Sequence, residues 1–141
     1  MNQLPPPFEA YDGDEPFIFV CYAHADAHIV YPEIELWQKQ GYRIWYDEGI
    51  PPTAYWRKKI NEALDGSAFF VVFVSPRSMA SQNVLDEVEY ALDRQTPFLQ
   101  IFIEDAELPS GVKLRMRRIQ QLHKHTMHEN LFRSKLDRTL P

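Results

Sequence analysis

Apolar positions along this chain fall into two signatures, short unbroken runs and stripes at helical spacing. Phe17-Ile18-Phe19-Val20-Cys21-Tyr22 and Ala68-Phe69-Phe70-Val71-Val72-Phe73-Val74 are continuous in apolar character, as strands covered on both faces are. Between them a helical pattern runs from about His28 to Gln40, with Ile29, Pro32, Ile34, Leu36 and Trp37 as its apolar positions and Gly41 as its stop. Pro32 is tolerated only near a first turn, so the regular helix is expected to begin close to it. Arg43-Ile44-Trp45-Tyr46 reads as a short second strand toward one side of the sheet. The loop Asp47-Glu48-Gly49-Ile50-Pro51-Pro52 follows it.

Thr53 is placed to cap a helix carrying Trp56, Ile60, Ala63 and Leu64 and stopping at Gly66. After the run at 68–74 comes a serine-rich turn, then a helix with Val84, Leu85, Val88, Ala91 and Leu92 in one stripe, then the strand Phe98-Leu99-Gln100-Ile101-Phe102-Ile103. Beyond it the pattern predicts a loop over 104–110, a short helix over 111–118, an edge strand over 119–122 and a closing helix over about 128–138. Strands alternating with helices through short loops imply an α/β fold with a parallel sheet and helices on both faces. Four clear strands and a weaker one predict a five-stranded, flavodoxin-like order, 2-1-3-4-5. In such sheets ligands bind at the carboxyl ends of the strands. That directs attention to Ser75 through Tyr90.

The chain has 141 residues, which suits one domain. A net charge of −5 argues against nucleic acid as a partner, and the basic run from Lys113 to Arg118 is interleaved with Leu and Met like a solvated helix edge. Cys21 is alone, so no intrachain disulfide forms, and a reducing, cytoplasmic setting is expected. No apolar stretch approaches the ~20 residues of a membrane helix, so no membrane partner is expected. Residues 1–14, with Pro5-Pro6-Pro7 and no signal-peptide pattern, read as a disordered leader to a domain over 15–141. The end at Pro141, without a shift in composition, fits the N-terminal part of a longer protein.

Drawn at ~100° per residue, the helix after Ser81 turns its stripe to the sheet. Glu87 falls at one margin beside Asn83, Tyr90 and Arg94, Glu89 falls at the other, and Asp86 points away. Geometry alone does not choose between Glu87 and Glu89, and a solvated acid favoured by the helix dipole explains either. His123, His125 and His128 have a spacing that fits no standard metal site. Ser75 and Ser81 read as turn and cap residues, since no histidine stands at a partner spacing. Asp47-Glu48 resembles the acidic end of a receiver domain, but Ala23-His24 and Ser75 occupy the places where that fold needs further carboxylates.

Three stretches together resemble the Toll/interleukin-1 receptor (TIR) domain family. Phe19-Val20-Cys21-Tyr22-Ala23-His24-Ala25-Asp26 is similar to the family's opening strand and loop. Gly41-Tyr42-Arg43-Ile44-Trp45-Tyr46-Asp47, with the Glu48–Pro52 loop, resembles its second strand and mobile loop. Ser75-Pro76 through Ser81 to Glu87-Val88 resembles its third motif. Tyr31-Pro32-Glu33-Ile34 and Glu107-Leu108-Pro109 give the sequence a bacterial wording. The resemblance implies cleavage of NAD, as substrate and with no cofactor, to nicotinamide and ADP-ribose or a cyclic ADP-ribose, switched on by self-assembly. The alternative it carries is a non-catalytic signalling scaffold. The family's catalytic glutamate maps onto Glu87, and only this mapping ranks Glu87 above Glu89.

The same resemblance implies a substrate-binding set of Tyr22, Ala23, His24, Asp47, Ile50, Tyr55, Trp56, Ser75 and Asn83. It also implies homo-oligomeric contact with other TIR domains through the loop 47–53, and a fused or partner regulatory domain. Asn83 stands where the family usually has a tryptophan, Cys21 and Ala23 replace serines, and Thr53 replaces a glycine. Trp56 reads equally as an aromatic platform or as a core residue of its helix. His24 reads equally as a phosphate contact or as a residue holding its loop.

Overall fold

The computed structural model describes residues 4–51 and 55–141. Five strands, β1 (Ile18–Cys21), β2 (Ile44–Trp45), β3 (Phe69–Val74), β4 (Phe98–Phe102) and β5 (Gln121–His123), form one sheet in the order β2-β1-β3-β4-β5. Every neighbouring pair is parallel. The helices are α1 (Ala27–Lys39), α2 (Trp56–Gly66), α3 (Gln82–Asp93), α4 (Ser110–Arg117) and α5 (Glu129–Thr139). This is the architecture expected from the alternation of apolar runs and stripes.

The side-chain period of two on β3 divides the core. Phe69, Val71 and Phe73 join Val30, Ile34, Trp37, Phe132 and Leu136 beneath α1 and α5. Phe70, Val72 and Val74 join Ala63, Leu64, Val84, Val88, Val112 and Met116 beneath α2, α3 and α4. On the second face an aromatic row crosses four strands. Trp45 stacks on Phe19 at 4.8 Å, Phe19 on Phe70 at 5.4 Å, and Phe70 on Phe98 at 4.9 Å. Offset ring pairs of this kind add about 0.5–1.5 kcal/mol each beyond area burial.

Several local expectations shift. α1 begins at Ala27 and carries Pro32 well inside it. The proline is tolerated because it is exposed, and so is His28, whose carbonyl loses its helical partner to water. Leu36 also faces solvent rather than the core. At the other end the expected glycine stop is present. Gly41 has φ +101°, its N–H donates to Gln38 at 3.0 Å, and the Tyr42 N–H donates to Trp37 at 3.1 Å, which is a Schellman closure. β5 lies at 121–123 rather than 119–122, because Ile119 is still bonded to the last turn of α4 at Met116. α2 starts at Trp56 with Tyr55 as its cap residue, and the expected cap Thr53 lies outside the described residues.

The stretch expected as a disordered leader departs most from expectation. Tyr11 donates its N–H to the Ile44 carbonyl at 2.8 Å, and Ala10 donates to Gly49 at 2.8 Å. The Phe8 ring meets Tyr46 edge-on at 5.0 Å. β2 pairs with β1 on one side only, so its other edge offers unpaired backbone groups, and Phe8 and Tyr11 bring aromatic surface to cover them. Composition concealed this because two aromatics among prolines and acids carry no periodicity.

A candidate active site at the carboxyl edge of the sheet

At the carboxyl ends of β1, β2 and β3 the chain leaves β1 toward β2 on one side and β3 toward β4 on the other. A cleft of about 670 Å³ opens there, at the reversal where ligands of this fold class bind. Its walls come from the loop after β1 (Tyr22, Ala23, His24), the turn after β2 (Asp47), the first half of α2 (Trp56, Arg57, Asn61) and α3 (Asn83, Asp86, Glu87, Tyr90).

α3 is set by its own N-terminus. The Ser81 side chain accepts the Val84 N–H at 3.3 Å, satisfying one of the free donors of the first turn. Val84, Val88, Ala91 and Leu92 are then buried on the sheet, which brings Glu87 to the cleft margin, half-buried, while Glu89 is exposed and outside the cleft. The structure therefore separates two carboxylates that the helical wheel left equivalent. The Glu87 carboxyl is pushed up to about 7, first by burial. The nearby Cys21 thiol, whose own hydrogen bond goes to the Val84 carbonyl at 3.8 Å, and the charge of His24 pull it down, and the charges of Asp47 and Asp86 push it up. Cys21 is buried behind it, and burial together with Glu87 holds its thiol protonated. A carboxyl poised near neutrality inside a cleft marks a functional candidate.

His24 faces Glu87 across acidic surroundings. Its Nε2 lies 2.8 Å from Asp47 Oδ2 and its Nδ1 lies 3.2 Å from Glu48 Oε1. The hydrogen bond to Asp47 raises its pKa, burial opposes the rise, and the charges of Asp47, Glu48 and Glu87 add to it. Two carboxylates on two ring nitrogens favour the imidazolium. Tyr22, buried and beside Asp47, has its pKa raised too, and its hydroxyl lies 3.3 Å from that of Tyr31. It stays protonated and offers no base.

Three residues of the expected substrate-binding set stand outside the cleft. The Ser75 hydroxyl is fully buried and donates to Asp26 Oδ2 at 2.5 Å, while the Ser75 N–H donates to Ser78 Oγ at 2.9 Å. Arg77 Nε donates to Asp26 Oδ1 at 2.5 Å and its Nη2 reaches Glu104 at 2.6 Å. Ser75 is thus occupied in tying the β1, β3 and β4 loops together. Ile50 is buried in the core under α2, because its apolar side chain follows the turn inward. Tyr55 is 84% exposed, one residue ahead of the helix face that reaches the cleft. Tyr22, Ala23, His24, Asp47, Trp56, Asn83 and Glu87 all line it.

Arg57 and Asn61 line the cleft without having been singled out in the sequence. They stand four apart on α2, and extending the helical wheel of that segment from Ile60 and Leu64 would have placed them on the same side. The cleft thus combines carboxylates at Asp47, Asp86 and Glu87 with cationic groups at His24 and Arg57. No cluster of His, Cys, Asp and Glu among the described residues is arranged to hold a metal ion. No described helix is long and apolar enough to cross a membrane.

A family model described as TIR domain matches residues 18–137. The fold is similar to the crystal structure of the TIR domain of a Toll-related receptor from the lower metazoan Hydra magnipapillata. Identity is 15%, 86% of this chain and 94% of that one are covered, and the TM-score is 0.69. No curated protein matches the sequence. The expected bacterial character rests on the sequence wording alone.

Proposed function

The chain belongs to the TIR domain family, and on that premise we propose that its cleft cleaves the nicotinamide–ribose bond of NAD, with Glu87 as the catalytic residue. The observation that supports this reading is the Glu87 carboxyl itself, half-buried at the cleft wall and poised near pH 7. In the reaction the C1′–N bond breaks with its electron pair leaving on nicotinamide, which departs as a neutral ring. The ribosyl C1′ becomes electron-poor. Water adds there to give ADP-ribose and a proton, or a nitrogen of the adenine adds to give a cyclic product.

A neutral leaving group needs no general acid, so one carboxylate suffices where glycosidases use two. Glu87 stabilises the developing cation electrostatically. Its raised pKa has a consequence for binding. A pyridinium entering the cleft favours the ionised carboxylate, so substrate binding and proton loss from Glu87 are linked. Trp56 offers an aromatic surface, Arg57 a cation for the diphosphate, and Asp47 and Asn83 hydrogen-bonding groups for the ribose hydroxyls.

The test is nicotinamide release from NAD by the wild type and by Glu87→Gln, over a range of protein concentration. Release by the wild type that rises through pH 7 and is lost in the variant is the expected result. Equal release by both overturns the assignment.

A second reading, a non-catalytic module that assembles with other TIR domains through the turn after β2, is favoured by one observation. Asn83 puts an exposed amide in the cleft where the family usually has an aromatic. Self-association by light scattering, with no turnover at any concentration, decides for it.

A further inference from the structure

Between Phe8 and Tyr11 the N-terminal segment meets the turn that supplies Asp47 to the cleft at two places, Tyr46 and Gly49, while Tyr11 lies on β2, Phe17 and Arg43. The Phe8 N–H lies 3.2 Å from the Tyr46 hydroxyl, which donates in turn to the Phe8 carbonyl. The Tyr46 ring, fully buried, packs edge-on against both Phe8 and Tyr31. Ala10 N–H donates to the Gly49 carbonyl, and Tyr11 N–H to Ile44. The approach at Gly49 is so close that a Cβ there would stand 2.7 Å from the Ala10 nitrogen and from the Tyr46 ring. Only glycine lets the two backbones meet.

The turn from Asp47 to Gly49 is thus gripped at both ends, at Tyr46 and at Gly49, by a segment that precedes the matched family region at residue 18. Inside the grip Asp47 accepts the Glu48 N–H with Oδ1 at 2.8 Å and presents Oδ2 to His24. β2 itself pairs with β1 at two residues only, Ile44 and Trp45, which is little to fix a loop that must place a carboxylate.

We propose that residues 8–11 are a positioning strap for the cleft, holding the Tyr46–Gly49 turn so that Asp47 meets His24 opposite Glu87. The strap acts through the turn and touches no substrate. Its place in catalysis rests on the NAD reading above, but the positioning itself does not.

The test reads the geometry directly. The charged groups facing His24 are Asp47 and Glu48 from the turn and Glu87 from α3, with the Tyr22 ring 5.6 Å away. The proton resonances of His24 are titrated in the full chain, in a variant lacking residues 2–9, in Phe8→Ala and in Phe8→Leu, with His24→Asn identifying the signal. In the wild type the midpoint stands above the ordinary imidazole value of about 6.5. In the deletion and in Phe8→Ala it falls toward about 6.5 as Asp47 drifts away, while circular dichroism remains that of a folded α/β protein. Phe8→Leu restores part of the rise. A merely stabilising role would lower the melting temperature and leave the midpoint of the folded protein where it was. An unmoved midpoint in folded Phe8→Ala overturns the proposal, and that variant alone carries the reading if the deletion does not fold. Since no NAD enters the measurement, a failure of the NAD reading leaves this result standing.

Discussion

Replacing Glu87 by Gln should make the protein more stable, and more so as the pH rises. In the folded chain the carboxyl titrates at about 7, against an ordinary value of 4.5. That gap is worth roughly 3 kcal/mol, at about 1.4 kcal/mol per pKa unit. Below pH 4.5 both folded and unfolded chains keep the proton, and the difference contributes nothing. Between 4.5 and about 7 the unfolded chain has lost its proton while the folded one retains it, so wild-type stability falls with rising pH across that window. Above about 7 the folded state carries a desolvated carboxylate at full cost.

The glutamine is neutral at every pH and keeps the shape of the protonated acid. Its amide faces the open cleft and can be solvated there, so the gain is expected at roughly 1–3 kcal/mol at pH 8 and near zero at pH 4. Urea unfolding of both proteins at those pH values gives the comparison. A variant no more stable than wild type at pH 8 would refute the claim that burial dominates the Glu87 environment. So would a gain of equal size at pH 4. Such a result would also weaken the catalytic reading, because a group selected for chemistry is expected to cost stability where it is poised.

Two further outcomes are expected. Glu33 is 3% exposed, accepts the Trp37 indole N–H at 2.9 Å and receives both terminal nitrogens of Arg133. Glu33→Ala should cost about 3 kcal/mol in urea unfolding, and Glu33→Met with Arg133→Leu should recover most of it, since a broken buried pair costs more than an absent one. Asn83→Trp should lower KM for NAD by about tenfold, the scale of one aromatic stacking contact, as read in a nicotinamide-release assay. An unchanged KM would mean that Asn83 does not face the bound ring.

The sheet was legible from the chain because buried parallel strands are written as unbroken apolar runs, and 18–21 and 69–74 are just that. Glu87 was legible only in part. The stripe on α3 put it at a margin, but the margin that faces the cleft depends on where α2 and α4 sit, which no single helix encodes. Asp26 and Ser75 illustrate the opposite limit. Both lie in motifs that point to a ligand, yet they spend their polar atoms on each other and on Arg77, a pairing across 49 residues that spacing cannot foretell. The pairing of Glu33 with Arg133 joins residues 100 apart in the chain, and helical spacing does not encode it. The contact of Phe8 and Tyr11 with the β2 edge is invisible for the same reason. It depends on an edge that exists only once the sheet is assembled.

The two-residue pairing of β2 gives the cleft jaws of unequal stiffness. Glu87 stands on a helix packed across the centre of the sheet, next to β3, which pairs along its length with both neighbours. Asp47 stands beyond a strand joined to the sheet at Ile44 and Trp45 alone. Opening the first jaw means unfolding the domain. Opening the second means breaking a short ladder at the rim, releasing the contacts of residues 8–11 with Ile44, Tyr46 and Gly49 and sliding Trp45 off the Phe19 ring, a local event with a smaller free energy than global unfolding. The cleft can therefore open at one jaw while Glu87 stays fixed in the other, and the frequency of that opening is written in the β2 rim and the segment strapped to it rather than in the core.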